Sequence, residues 1–398
     1  MLTFLKHYKM IRVGFLLNFP LEYKGGINYL KNLFFAVNKF NQDKIEIVLF
    51  VSSDISDEYL NIFSPYAKIV KTKILKRKSV PWFLSKIGAR LFNYDIVTFN
   101  LLTKNNINVA SHSNFVFPDK KIKTLNWIPD FQYLHYSDLW TDEQLKATIN
   151  LHENLIKKSD GIVLSSYAAF DDFKINHLKY QDKVKVLNFV SQPDEQLEIL
   201  IKSDDRLEIK NKYNIDRPFF YMPNQFWSHK NHIVAFEAVK ELKDKGYNPL
   251  LITSGLMSDY RNGSNHVENL QKFVTDHSLE QNILFLGLIP YGHVIKLILM
   301  ANCIINPSFF EGWSSTVEES KTVGKRILLS NIQVHIEQAP QYGIYFDPNN
   351  ASELAEKMEK IMNDSEYIET DVRDLILSLN NRTRDFALKY LEILNSLN

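Results

Sequence analysis

Two glutamates, Glu311 and Glu319, stand with seven residues between them in the run Phe309-Phe310-Glu311-Gly312-Trp313-Ser314-Ser315-Thr316-Val317-Glu318-Glu319. A carboxylate accepts hydrogen bonds from two adjacent hydroxyls, so such a pair suits a polyhydroxylated ligand. Between them, Ser314, Ser315 and Thr316 fall where a helix is expected to begin. Unpaired backbone N–H groups there, with the positive end of the helix dipole, attract phosphate oxygens. A cation comes from the run Pro223-Asn224-Gln225-Phe226-Trp227-Ser228-His229-Lys230-Asn231-His232, in which Lys230 is placed to neutralise a departing diphosphate. The blander alternatives are a solvated loop glutamate followed by one that complements the helix dipole, and a lysine that merely caps a helix.

Those residues need a strand before them and a helix after them. Cys303-Ile304-Ile305-Asn306 reads as a short buried strand ended by Pro307, and the apolar periodicity of 317–323 reads as a helix. Residues 218–222 read as a strand, and Ile233, Phe236, Ala238, Val239 and Leu242 carry a helical pattern beyond the lysine. Strand-like runs at 13–17, 45–51, 107–111, 124–128, 161–164 and 184–187 alternate with helical patterns such as 29–37 and 143–156. A second series follows at 219–222, 250–253, 283–286, 304–306, 327–329 and 344–346. Such alternation predicts α/β architecture, with parallel sheets covered by helices on both faces. At 398 residues the chain is long enough for two domains, expected at 1–200 and 201–380, with the boundary in the polar stretch between Val190 and Asp216.

Composition narrows the classes. Hydrophobic residues make up 45% and charged residues 23%, ordinary for a globular chain, and the formal net charge of +1 gives no reason to expect nucleic acid as a partner. The single cysteine, Cys303, lies in an expected buried strand; with no disulfide to form, the chain reads as a protein of a reducing compartment, the cytoplasm. No apolar run reaches the length of a membrane span, and residues 1–9 lack the apolar core of a signal peptide and read as a loose extension. No Asp-x-Asp pair stands at a strand end to hold a metal on a diphosphate. Asp171-Asp172 and Asp204-Asp205 read as solvated charges, so no metal is expected and activity should survive chelation.

Taken together, the two segments resemble the retaining glycosyltransferases of family 4, whose two-domain fold is called GT-B. The resemblance spans nearly the whole chain, because several features stand in the family's order. Lys24-Gly25-Gly26-Ile27 is similar to its glycine-rich turn after the first strand, Asp130 to one member of its polar pair, and Ser165-Ser166 to its serine-bearing turn. The Lys230 turn, the strand end at Gly287-Leu288-Ile289-Pro290 and the paired glutamates follow. The resemblance implies a nucleoside-diphosphate sugar as donor substrate rather than a cofactor, and a glycan or lipid-linked oligosaccharide as acceptor. It implies Glu311 on the sugar hydroxyls, Glu319 on the ribose, and Lys230 with the Ser314-Ser315-Thr316 backbone on the leaving phosphates. Gly287, Leu288 and Ile289 would read the base, with Gly26 near the reacting sugar and Asp130 near the acceptor hydroxyl or the donor sugar. It further implies a last helix, within 381–398, that crosses back to the first domain; a membrane contact through residues 70–84 would add a place in bacterial surface polysaccharide assembly, O-antigen or capsule.

The chain departs from the family pattern twice. Gln225 stands where the family carries an arginine, and Arg326, Lys321, His229 and Arg261 are the candidates to supply the missing charge. The histidine expected beside Asp130 is absent; His112, His135 or neither takes its place. UDP, GDP and dTDP sugars stay open. So do a nonhydrolysing sugar-nucleotide epimerase and a noncatalytic sugar-nucleotide or glycan-binding protein of the same fold. Residues 70–84 mix cations with aromatic and aliphatic side chains, read either as a peripheral contact with an anionic membrane or as a basic surface loop before a helix starting near Trp82.

Overall fold

Every strand pairing among the described residues is parallel, and the strands fall into two sheets. The structure is a computed structural model that describes residues 10–17, 24–92, 94–193, 197–202, 205–258, 265–364 and 370–397. Residues 1–9, Arg261 and Asp204 lie outside these.

The first sheet holds β1 (Ile11–Leu16), β2 (Ile45–Ser52), β3 (Lys68–Thr72), β4 (Val109–Ser111), β5 (Lys123–Ile128), β6 (Gly161–Leu164) and β7 (Val184–Val186), in the order β3-β2-β1-β4-β5-β6-β7. The second holds β8 (Phe220–Met222), β9 (Leu251–Thr253), β10 (Ile283–Phe285), β11 (Cys303–Asn306), β12 (Ile327–Ser330) and β13 (Gly343–Phe346), in the order β10-β9-β8-β11-β12-β13. Short, continuously apolar strands such as Cys303-Ile304-Ile305 are buried on both faces, which is why they pair parallel beneath covering helices rather than alternating with water. Both orders reverse direction at one place, between β1 and β4 and between β8 and β11. Connections leave such a pair in opposite directions, which opens a crevice at the carboxyl ends of the strands.

The chain divides into two compact units, one of Met1–Phe131, Glu143–Val190 and Asn381–Asn398, the other of Gln132–Asp142 and Ser191–Asn380. Within the first, the part of the long helix Val372–Asn395 from Asn381 onward is tied down by Tyr390, whose hydroxyl donates to Ser111 Oγ at 2.8 Å, and by Asn41 Nδ2, which donates to Ala387 O at 2.8 Å. Within the second, Phe220, Met222, Leu251, Ile305 and Leu328 of the sheet pack against Phe226, Val239, Leu354 and Met358. Cys303 belongs to this core, and burial pushes its thiol up to about 12, so it is an inert core side chain. No described helix is long and apolar enough to cross a membrane.

Three expectations need correction here. Of the stretch 70–84, the start belongs to edge strand β3, paired with β2 from Val48↔Lys68 to Ser52↔Thr72, which was not expected; residues 73–79 are a basic connection, and the helix that follows, Val80–Phe92, begins two residues before Trp82. Lysines at 68 and 71 hid that strand from an apolar pattern, as charges on edge strands do. The polar stretch 190–216 contains the helices Leu197–Lys202 and Arg206–Tyr213, and Asp205 is a half-buried ion-pair partner of Lys296 rather than a solvated charge. Gly25 and Gly26 do not form a turn: they lie in the first turn of the helix Lys24–Asn41, and neither has a positive φ.

Candidate functional site

In the second unit, the residues after β8 and β11 converge because those two strands are neighbours, with Ile304 opposite Tyr221. After β8 the chain makes a short 3-10 turn, Ser228–Lys230, and reverses at Asn231, whose left-handed backbone (φ 55) an asparagine tolerates better than most side chains. Asn231 Nδ2 then donates to Pro307 O at 3.1 Å and Pro348 O at 2.8 Å, which fixes the turn against the loops after β11 and β13. Lys230 is thereby aimed at Glu311. Its Nζ meets both carboxylate oxygens, at 2.7 and 2.8 Å, with side chains only 13% and 8% exposed.

A chain of buried polar groups holds this pair. Ser308 Oγ lies 2.7 Å from Glu311 Oε1 and 2.8 Å from Asn306 Oδ1, while Asn306 Nδ2 donates to Ser314 Oγ at 2.8 Å. His335 is fully buried behind Asn306, and burial lowers it to about 4, so it is neutral. Its Nε2 faces the Asn306 amide at 3.4 Å and therefore accepts, which leaves Nδ1 as the donor to Ser330 O at 3.0 Å. Burial alone would push Glu311 up, but the Lys230 ammonium, with further help from Ser308, holds it below the usual carboxylate range. The result is a buried, ionised carboxylate with a single cation on it.

The helix Ser315–Val323 begins four residues after Glu311, with Ser314 as its cap. Of the three backbone N–H groups expected to face phosphate, that of Ser314 is already taken by Gln338 Oε1 at 3.1 Å, so only Ser315 and Thr316 keep that expectation. Glu318, which the sequence did not single out, is buried and meets Gln338 Nε2 at 3.2 Å and Lys321 Nζ at 3.1 Å. Glu319 lies on the other side of the same turn, also buried, and accepts from Tyr291 OH at 3.2 Å. Burial pushes its carboxyl up to about 8 against the opposing pull of the Tyr291 hydroxyl. The two glutamates thus lie in opposite electrostatic states: one is held ionised by a lysine, the other is held protonated at neutral pH.

The remaining sequence-selected residues separate into near and distant. Gln225 follows β8, and its Oε1 accepts from Leu256 N at 3.2 Å, so its carbonyl is structural and its amide N–H groups are what it has to offer a ligand. That bond belongs to a close approach of backbones, where Gly255 (φ 151) donates to Gly287 O at 2.9 Å. Gly255 was missed in the sequence, where Ser254-Gly255 looks like an ordinary strand-end turn. A Cβ at Gly255 would collide with the Asn224 carbonyl, whereas one at Gly287 (φ 64) would meet nothing within 4 Å. Gly255→Ala is therefore expected to lower stability by about 2 kcal/mol or more, and Gly287→Ala by only about 1 kcal/mol, as read from urea midpoints. Leu288 is exposed and Ile289 half-buried, both leading into Tyr291.

Among the candidates for the missing charge, Arg326 sits at the wrong end of the sheet. It precedes β12, and its guanidinium donates to Asn302 O and Asp364, both at 2.7 Å, away from the carboxyl ends where Lys230 and Glu311 meet. Lys321 is occupied by Glu318 and by Gln338 O at 3.1 Å. His229 is buried, with its carbonyl accepting from Phe309 N at 2.9 Å. Arg261 lies outside the described residues, and among those described Lys230 is the cation that meets Glu311.

Asp130 and Gly26 belong to the first unit. His112, offered as a replacement histidine, is sealed in that unit between Tyr29 OH (2.8 Å) and Ser111 Oγ (2.7 Å), and burial lowers it to about 3. His135 differs: it is exposed, in the second unit, with its ring 5.4 Å from that of Phe310, the neighbour of Glu311. Ser166, read as part of a serine-bearing turn, caps the helix Tyr167–His177 through Ala169 N at 3.0 Å.

This arrangement, a cation and two carboxylates at the reversal point of a parallel sheet, fits a group that is both anionic and polyhydroxylated. Residues 203–373 match the family model of the glycosyl transferases group 1. No curated protein matches the chain by sequence. Among solved structures, HepE from Anabaena in complex with UDP and glucose superposes with a TM-score of 0.69 over 97% of this chain and 100% of that chain, at 13% identity. A glycosyltransferase from Rickettsia africae ESF-5 gives 0.65 over 98% and 99%, at 17% identity. WaaG, a glycosyltransferase involved in lipopolysaccharide biosynthesis, gives 0.59 over 94% and 95%, at 13% identity. At such identities the likeness carries the fold alone, which is GT-B, with two Rossmann-like units.

Proposed function

We propose that the chain is a retaining, metal-independent glycosyltransferase of family 4, which moves a sugar from a nucleoside-diphosphate donor to a glycan acceptor in bacterial surface polysaccharide assembly. The buried Lys230–Glu311 pair at the sheet reversal, inside the matched residues 203–373, is the observation that carries this reading. The HepE complex with UDP and glucose and the role of WaaG in lipopolysaccharide biosynthesis add support for the donor and the pathway. The protein acts at the cytoplasmic side.

In this reading Lys230 and the N–H groups of Ser315 and Thr316 stabilise the diphosphate as it leaves, where charge develops most. Glu311, oriented by Ser308 and Lys230, takes the hydroxyls of the donor sugar, and Glu319 takes those of the ribose. The Gln225 amide donates to a phosphate without adding charge. Backbone groups at Gly287, Leu288 and Ile289 read the base. Asp130 serves the acceptor hydroxyl, Gly26 lets the backbone approach the reacting sugar, and the departing phosphate accepts the acceptor's proton on the face it leaves.

Thermal unfolding with UDP, GDP, dTDP and CMP tests the donor class. One nucleoside diphosphate is expected to stabilise the protein by roughly 2.7 kcal/mol at one hundred times its dissociation constant. With the matching sugar nucleotide and an acceptor, the product should keep the donor's anomeric configuration by NMR, at a rate unchanged by chelator. Inversion, loss of activity on chelation, or an epimer formed from donor alone would each defeat the proposal.

A further inference from the structure

The helix Val80–Phe92 meets the fold on one side and carries a row of exposed apolar side chains on the other. On the inner side Ser85 Oγ donates to the carboxylate of Asp95, which in turn caps the helix Ile96–Lys104 through Val97 N (3.1 Å) and Thr98 N (2.9 Å). Gly88 faces Ile96 there, where an added Cβ would come within 3.3 Å of the isoleucine. This side fixes the helix. The outer side presents Val80, Phe83, Leu84, Ile87 and Leu91, each between 50% and 72% exposed. At 100° per residue these five positions fall within about 100° of arc, a continuous stripe.

The charge around that stripe is one-sided. Between Lys73 and Phe92 there are six cations, Lys73, Lys76, Arg77, Lys78, Lys86 and Arg90, and no acidic residue, in a chain whose formal net charge is only +1. Lys86 and Arg90 are exposed beside the stripe, and Lys76, Arg77 and Lys78 are exposed in the turn that leads into it. The nearest opposing charge is Asp54, 3.7 Å from Lys76 in an exposed pair worth little in water. An apolar stripe of this size is seldom left to water without a partner.

We propose that this helix lies in the plane of an anionic lipid bilayer, its five apolar side chains among the acyl chains and its cations on the headgroups. Such a helix needs an apolar face and a basic flank, and both are present. Pairing with a second copy of the chain is disfavoured, because it would set six cations against six. The inference concerns the first unit alone and does not rest on the donor chemistry.

The test is sedimentation of the full chain with vesicles of phosphatidylglycerol and phosphatidylcholine at low and high salt. The wild type is expected to bind the anionic vesicles at low salt, to bind neutral ones at least tenfold more weakly, and to be released by salt. Leu84→Glu with Ile87→Glu, and separately Lys86→Glu with Arg90→Glu, should each weaken binding by tenfold or more, with thermal midpoints unchanged since all four side chains are exposed. Leu207→Glu, a change of an equally exposed apolar residue in the other unit, should bind as the wild type does. Failure of the wild type to sediment with anionic vesicles overturns the proposal. So do equal binding to neutral vesicles, equal loss in Leu207→Glu, and a dimer that Ile87→Glu dissolves.

Discussion

Lys230→Ala is expected to cost about 3 kcal/mol or more of stability and to abolish stabilisation by nucleotide. Removing one partner of a buried ion pair costs roughly 3–5 kcal/mol, because the other charge is left without compensation. Glu311 would keep only Ser308 as a donor, at 2.7 Å, in a site whose neighbouring histidine, His335, is neutral. The carboxyl would then take up a proton at neutral pH, which moves its ionisation from below the usual range to above it. A second substitution separates this structural loss from a functional one. Glu311→Leu in the Lys230→Met background removes both charges, and replacement of a buried pair by apolar groups is often neutral. The double variant is expected to recover most of the lost urea midpoint and none of the nucleotide response. If it recovers both, the pair is structural and the proposed donor site is wrong. In the wild type the contribution of the pair to stability is present at neutral pH and is lost as pH falls through the lowered Glu311 value.

What the sequence carried well was the placement of motifs after strands. The pairs β8 with its lysine turn and β11 with its glutamate are each an apolar run followed by Pro and polar residues, so local pattern sufficed. What it could not carry were contacts between segments distant in sequence. Nothing near Glu319 announces Tyr291, 28 positions away, and nothing near Asn306 announces His335. The burial of Glu318 was equally hidden, since a glutamate in the first turn of a helix is ordinarily a solvated complement to the dipole. Here Gln338, from the helix Gln333–Gln338, covers it. Gly255 escaped for a similar reason: the need for a missing side chain arises from the Asn224 carbonyl on an adjacent strand end, not from its own neighbours. Edge strand β3 failed differently, because its lysines obey the logic of an edge rather than of a core. Arg326 shows the reverse error, a cation assigned by type when its position before β12 puts it at the amino end of the sheet.

Glu319→Gln should flatten the pH dependence of both stability and nucleotide binding. Burial raises the Glu319 carboxyl from its ordinary value of 4.5 to about 8, so between these values the native protein holds a proton that the unfolded chain has lost. A group raised in this way contributes its stability fully below the unfolded value and loses it as pH rises through the folded one. Relative to the glutamine variant, the wild type is therefore expected to weaken between about pH 5 and pH 8, by up to about 1.4 kcal/mol per pH unit. Ligand binding carries the opposite sign. Ribose hydroxyls donate to a carboxylate, and an ionised carboxylate is the better acceptor of the pair, so nucleotide binding at pH 7 should expel the proton that Tyr291 now faces. Affinity then rises toward pH 8, by at most about tenfold per unit, and calorimetry in buffers of different ionisation enthalpy should register the released proton. The nucleotide's own phosphate titrates in both proteins, so the difference between wild type and Glu319→Gln isolates the carboxyl. Equal pH profiles for the two proteins would mean that Glu319 does not meet the ribose.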